Sequence, residues 1–132
     1  MSADFSGTWT ANLQKSKLLG PARKAIVANI QHAGAQLTAE MVITDADGRE
    51  HSLVFRGTTT GEEVSNTILG LLWRSQLRWV GRELLIESWV NQGGREMHFR
   101  DFWSLSPDGE TLTMQHRDDD LAGQTTILER AR

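Results

Sequence analysis

Residues 73–103 read WRSQLRWVGRELLIESWVNQGGREMHFRDFW, and the two glycine turns inside this stretch decide the fold. Gly93-Gly94 suits the tightest hairpin turn, whose two central positions both need positive φ. That turn pairs Gln92 with Arg95, and so Val90 with Met97, Ser88 with Phe99, Ile86 with Asp101 and Leu84 with Trp103. Gly81-Arg82, read as another two-residue turn, sets Trp79 opposite Leu84, Leu77 opposite Ile86, Ser75 opposite Ser88 and Trp73 opposite Val90. Residues paired across an antiparallel ladder share a face. Both registers give the same apolar face, made of Trp73, Leu77, Trp79, Leu84, Ile86, Val90, Met97, Phe99 and Trp103. The opposite face gathers Arg74, Gln76, Arg78, Glu83, Glu87, Asn91 and Arg100, with Glu87 across from Arg100. The apolar face is the interior.

The same punctuation recurs outward from this stretch, at Gly20-Pro21, Ala33-Gly34, Asp45 to Gly48, Thr60-Gly61, Gly70, Ser106 to Gly109 and Ala122-Gly123. Turn signals at such spacing between β-branched and aromatic runs predict about ten strands and no convincing helix. Leu37, Ala39, Met41 and Ile43 alternate with polar residues. A three-residue turn with Gly48 as its bulge brings His51, Leu53 and Phe55 to their side. Phe5, Gly7, Trp9, Ala11 and Leu13 form the inner face of the first strand. A long sheet with one polar face tends to close on itself, because an open one leaves two long edges. The expectation is all-β: a single antiparallel up-and-down barrel spanning residues 1–132. A two-sheet sandwich is the alternative, but sandwiches use crossing connections rather than successive hairpins.

Composition narrows the function. The 132 residues suffice for one domain, and 39% hydrophobic with 23% charged residues is ordinary for a globular protein. A formal charge of −3 with scattered basic residues gives no case for nucleic acid or an anionic membrane. No cysteine is present, so disulfides and thiolate metal sites are excluded. Met1 to Asp4 show no secretory pattern, and the apolar run from Ile68 to Trp73 is too short to span a bilayer. A soluble, cytoplasmic protein is expected.

Phe5-Ser6-Gly7-Thr8-Trp9 resembles the start of lipocalins and intracellular fatty-acid-binding proteins, whose first strand carries Gly-x-Trp. In those families a basic residue of the last strand covers the Trp ring and closes the barrel floor. Arg130, in Thr126-Ile127-Leu128-Glu129-Arg130, matches it here, and the chain is similar to a bacterial-type lipocalin-like barrel. The resemblance implies a calycin fold around an internal ligand. Two departures limit it. Only Lys15 to Lys24 are available where fatty-acid-binding proteins insert a helix-turn-helix lid, and Gly20-Pro21 interrupts them. Their Arg-x-Tyr carboxylate clamp meets Thr126 and Leu128 here, which argues against the usual head-group recognition.

Asp101 is the informative polar residue, an inward carboxylate between Phe99 and Trp103. Burial should raise its pKa or demand a partner. Two turn geometries are open. A four-residue loop from Ser106 to Gly109 points Leu112, Met114 and His116 inward, with His116 diagonal to Asp101. A type I turn with a Gly109 bulge instead sets Gln115 opposite Asp101 and turns Arg117 inward. The first keeps the apolar residues together. Asp101 then reads either as a structural buried pair or as an acid/base or ligand-orienting group. His51 is expected to face the cavity with His116, without metal-ligand spacing. His32 is expected at a barrel end, against ligand or solvent, and His98 pairs with Trp89 outside. Asp118-Asp119-Asp120 lacks the spacing of a calcium loop, and no nucleophile elbow or phosphate loop appears.

Aromatic walls with few polar points are the usual lining of a small-molecule pocket. The candidate lining is Phe55, Trp73, Ser75, Leu77, Trp79, Ser88, Phe99, Asp101, Trp103, Met114 and His116. The leading expectation is binding of a small, largely apolar molecule, with no cofactor or metal. One alternative is a small isomerase, cyclase or hydrolase using Asp101 and a His in that cavity. Another is a filled interaction barrel, whose outer Leu85, Trp89 and Phe102 could also serve as a homodimer patch.

Overall fold

The computed structural model describes residues 3–118 and 123–131. Wherever apolar and polar residues alternate between turn signals, a strand forms. The strands are β1 (Gly7–Ala11), β2 (Arg23–Ala33), β3 (Gln36–Asp45), β4 (Glu50–Thr58) and β5 (Val64–Ile68). β6 (Leu71–Val80), β7 (Glu83–Gln92), β8 (Arg95–Leu105), β9 (Thr111–Asp118) and β10 (Gly123–Arg130) follow. All are antiparallel to their neighbours, in the spatial order β4-β3-β2-β1-β10-β9-β8-β7-β6-β5. This is an up-and-down barrel, nearly closed, and no helix long and apolar enough to cross a membrane occurs among the described residues. Of Asp118-Asp119-Asp120, only Asp118 is described, and residues 119 to 122 lie outside.

Both deciding hairpins have the expected register. Gln92 pairs with Arg95, Ile86 with Asp101, and Trp79 with Leu84. Gly93 and Gly94 have φ of 63° and 83°, which only glycine adopts without strain. Gly48, at φ 86°, closes the β3–β4 turn, with its N–H donating to the Asp45 carbonyl at 3.0 Å. The first strand is shorter than its pattern suggests: it ends at Ala11, and Leu13 lies in a turn.

The gap between the edge strands is bridged by a side chain. Arg56 N–H donates to Asn66 Oδ1 at 2.9 Å, and Asn66 Nδ2 donates to the Arg56 carbonyl at 2.9 Å. Asn66 thus satisfies the backbone of β4 where no ladder can. Near that gap Gly57 leaves space for Leu77, whose Cδ1 lies 2.8 Å from where a Cβ would stand.

One end of the barrel is shut by packed rings. Phe5 stacks on Trp79 (centroids 5.8 Å apart, planes 10°) and meets Trp103 edge-on at 5.7 Å. His32, expected at a barrel end against ligand or solvent, is packed into the rings that shut this end. Its side chain is 4% exposed, stacked on Phe5 and Trp79, and its Nδ1 accepts the Phe5 N–H at 3.3 Å. Its inward position opposite Leu37 explains this. Arg130 caps the floor, with its guanidinium carbon 4.3 Å from the Trp9 ring centre. Its nitrogens donate to the carbonyls of Ser6 (2.9 Å) and Gly109 (3.1 and 3.2 Å). The guanidinium lies where a Cβ on Gly7 would stand, and Gly7 has φ 139°. That is the physical reason for the glycine in Gly-x-Trp.

Candidate ligand-binding site

The β8–β9 connection settles the facing of β9. Ser106 N–H donates to the Thr111 carbonyl, so the loop is Pro107 to Glu110 rather than Ser106 to Gly109. The register moves by two residues, which preserves the face. Leu112, Met114 and His116 point inward as expected, but His116 is directly opposite Asp101, not diagonal to it. Gln115 faces Phe102.

Asp101 therefore has its partner. His116 Nδ1 and Asp101 Oδ1 are 2.7 Å apart, with side chains 29% and 22% exposed. The hydrogen bond that Asp101 accepts raises the His116 pKa above its ordinary value. Burial opposes this, and the charges of Asp101 and Asp118 add to it. The ladder row through the pair runs Leu77, Ile86, Asp101, His116 and Gln124. The pair fixes an imidazole that can take or give a proton at Nε2. Among the described residues, no serine or threonine hydroxyl is hydrogen-bonded to it, so no nucleophile–base arrangement is assembled.

Rings continue from this pair across the wall. His116 tilts over Phe99 at 4.9 Å (32°), and Phe99 stacks on Trp73 at 5.3 Å (21°). Trp73, Phe99, Asp101 and His116 are all half-buried. Trp73 Nε1 is shielded from solvent and has no hydrogen-bond partner among the described residues. Beside these rings Ser75 and Ser88 share a buried hydrogen bond at 2.8 Å. Ser75 shares β6 with Trp73, and Ser88 of β7 is paired across the ladder with Phe99 of β8.

The remaining candidate residues lie deeper. Phe55, Leu77, Trp103 and Met114 belong to one buried cluster with Phe5, Trp9, Leu84 and Leu112, and Trp79 packs against it. His51 departs from expectation. It lies on the inner side by register, but its side chain is 50% exposed and its Nε2 is 3.0 Å from Asp45 Oδ2. The end of a strand reaches beyond the cavity, so facing alone does not bury a residue. On the outer face, His98 stacks on Trp89 at 5.1 Å, as expected, and reaches Glu87 at 3.1 Å. Leu85 is not the exposed apolar residue its position suggests: it is buried, between Arg78 and Phe102 in the ladder. An outer depression of about 350 Å³, lined by Glu63, Arg74, Gln76, Trp89 and Glu96, has its charges already paired, Arg74 with Glu63 and Glu96. Among the described residues, no group of three or more His, Asp or Glu could hold a metal ion.

Sequence reasoning missed Arg23 and Gln124. A bulge between Arg23 and Ala25 sets Arg23 opposite Asp45, on the side of the sheet shared with Ile26 and Ile43. Gln124 Oε1 accepts the Leu19 N–H at 3.2 Å, tying the β1–β2 connection to β10. Arg23 carries no signal in the sequence, because a bulge reverses the facing that simple alternation gives.

No family model matches the chain, and no curated protein matches it in sequence. Solved structures match it over nearly its whole length. Secretory abundant heat soluble protein 4 from Ramazzottius varieornatus has a TM-score of 0.70 at 8% identity, over 100% of this chain and 99% of that one. Human cRBP IV has a TM-score of 0.70 at 16% identity, over 98% and 99%. The Schistosoma mansoni fatty-acid-binding protein in complex with arachidonic acid has a TM-score of 0.67 at 13% identity, over 97% and 96%. The up-and-down barrel fold is shared with these structures. At these identities the likeness reaches no further than that. Here the β1–β2 connection contains no helix and bridges β10 through Lys17 and Thr125.

Proposed function

We propose that the barrel binds a small, largely apolar molecule at its open end, with the ligand's body against Trp73, Phe99 and His116. The observation that carries this reading is the half-exposed aromatic wall with an unpaired indole N–H, opposite a tightly packed floor. An orphaned buried donor costs about 1–3 kcal/mol, which a ligand acceptor would offset. In this reading Asp101 holds the imidazole in place, and the ligand reaches as far as Ser75 and Ser88. Phe55, Leu77, Trp79, Trp103 and Met114 form the support beneath it. The arachidonic acid complex of the Schistosoma mansoni protein supports an apolar occupant for a barrel of this shape.

The test is titration with an environment-sensitive apolar dye. Micromolar binding and quenching of Trp emission are expected, with the quenching reduced in Trp73→Phe. A folded protein that binds no apolar probe would overturn the reading.

A further inference from the structure

Arg23 stands across the ladder from Asp45, yet the two form no ion pair. Asp45 is already occupied. Its Oδ1 accepts the backbone N–H groups of Asp47 (2.9 Å) and Arg49 (3.0 Å), and its Oδ2 lies 3.0 Å from His51 Nε2. Arg23 gives Nη2 to the Leu19 carbonyl at 2.9 Å, which folds the β1–β2 connection over the guanidinium. Nη1 is hidden from solvent and has no partner among the described residues. A guanidinium nitrogen is a strong donor to anionic oxygens, and leaving one buried and unpaired costs more than leaving a neutral donor so. Between Asp4 and Glu40 the chain has no acidic residue, while Lys15, Lys17, Arg23 and Lys24 are basic. The neighbours of Arg23 in sequence are therefore basic, and the Asp45 carboxylate opposite it is hydrogen-bonded to other groups.

We propose that Arg23 is the specificity-determining residue of the barrel mouth, donating from Nη1 to an anionic oxygen group on an otherwise apolar ligand. This rests on the apolar-ligand reading above and adds to it the charge and orientation of the occupant. The charged group stays at the open end, away from the Arg130 floor, and the apolar body points inward past Trp73 and Phe99. Arg23 selects between ligands of equal apolar size: those with an anionic head are retained and neutral ones are not.

The test compares decanoate with 1-decanol at pH 7, by displacement of the apolar dye from wild type, Arg23→Gln, Arg23→Lys and His116→Gln. Wild type should prefer the acid by at least about tenfold, as a charge-assisted hydrogen bond implies. The preference should weaken as sodium chloride is raised, because screening acts on charge and not on apolar contact. Arg23→Gln should lose the preference while keeping its affinity for decanol, and Arg23→Lys should retain part of it. Equal binding of acid and alcohol by wild type overturns the proposal and leaves the apolar-ligand reading intact. If neither probe displaces the bound dye, the proposal falls; if the dye itself does not bind, both fall. A preference that survives in Arg23→Gln and disappears in His116→Gln transfers the role to His116 and overturns the assignment to Arg23. The wild-type comparison and its salt dependence decide whether an anionic head is selected even if Arg23→Gln folds poorly, and Arg23→Lys then tests the assignment to Arg23.

Discussion

At the closed end Trp9 Nε1 donates to the Phe5 carbonyl at 3.0 Å, and all three Arg130 nitrogens reach backbone carbonyls. Away from that end the corresponding groups, Trp73 Nε1 and Arg23 Nη1, are equally hidden from water and have no acceptor among the described residues. Indole and guanidinium occur at both ends, so residue type does not distinguish them. What distinguishes them is whether the backbone turns a carbonyl toward the donor. Satisfied donors at the floor stabilise the barrel, whereas unsatisfied ones at the mouth cost stability and favour a partner that brings its own oxygen.

The most severe way to break this comparison is Trp9→Ala. It should cost about 3–5 kcal/mol in denaturant melts, the usual range for deleting a core aromatic. A neutral result would mean that the floor does not hold the barrel together. Arg130→Ala should cost about 2 kcal/mol, through the lost cation–π contact and the charge-assisted bonds to Ser6 and Gly109.

A matched pair of substitutions sharpens the contrast further. Trp9→Phe removes a satisfied N–H and should cost about 1–3 kcal/mol. Trp73→Phe removes an unsatisfied one and should stay within about 1 kcal/mol of wild type, since relief of the orphan donor offsets lost ring area. Equal losses at both sites, read from the same melts, would erase the distinction between the two ends.

The smallest effect concerns pH. His116 binds its proton more tightly in the folded protein than in the unfolded chain, chiefly through Asp101. The resulting stabilisation is complete below the ordinary imidazole value of about 6.5 and is lost as pH rises through the higher folded value. Unfolding free energy should therefore decline across that window in wild type. Asp101→Asn should flatten the decline. An unchanged slope in the variant would show that Asp101 does not hold the proton on His116.

Much of this is legible in the sequence alone. The ladder from Trp73 to Trp103 follows from two glycine turns, because a hairpin loop fixes register and register fixes facing. Asp101 was recognisable as the polar exception on an apolar face, and Arg130 as the cover of Trp9. The facing of Leu112, Met114 and His116 survived a wrong loop boundary because the error was an even number of residues.

The sequence by itself determined local quantities: which hairpins follow one another, which of their residues share a face, and that the sheet must curl to hide that face. Each depends on turns and alternation within a few tens of residues. Only the tertiary structure decided which inward residues are packed and which are half-open, since burial depends on strands distant in sequence. Trp79 and Trp73 read alike along β6, but one meets Phe5 and His32 while the other meets Phe99. Whether a donor finds an acceptor is decided at the same level. Arg23 lacks one because a bulge turns it toward a carboxylate that the Asp45 turn and His51 have already taken.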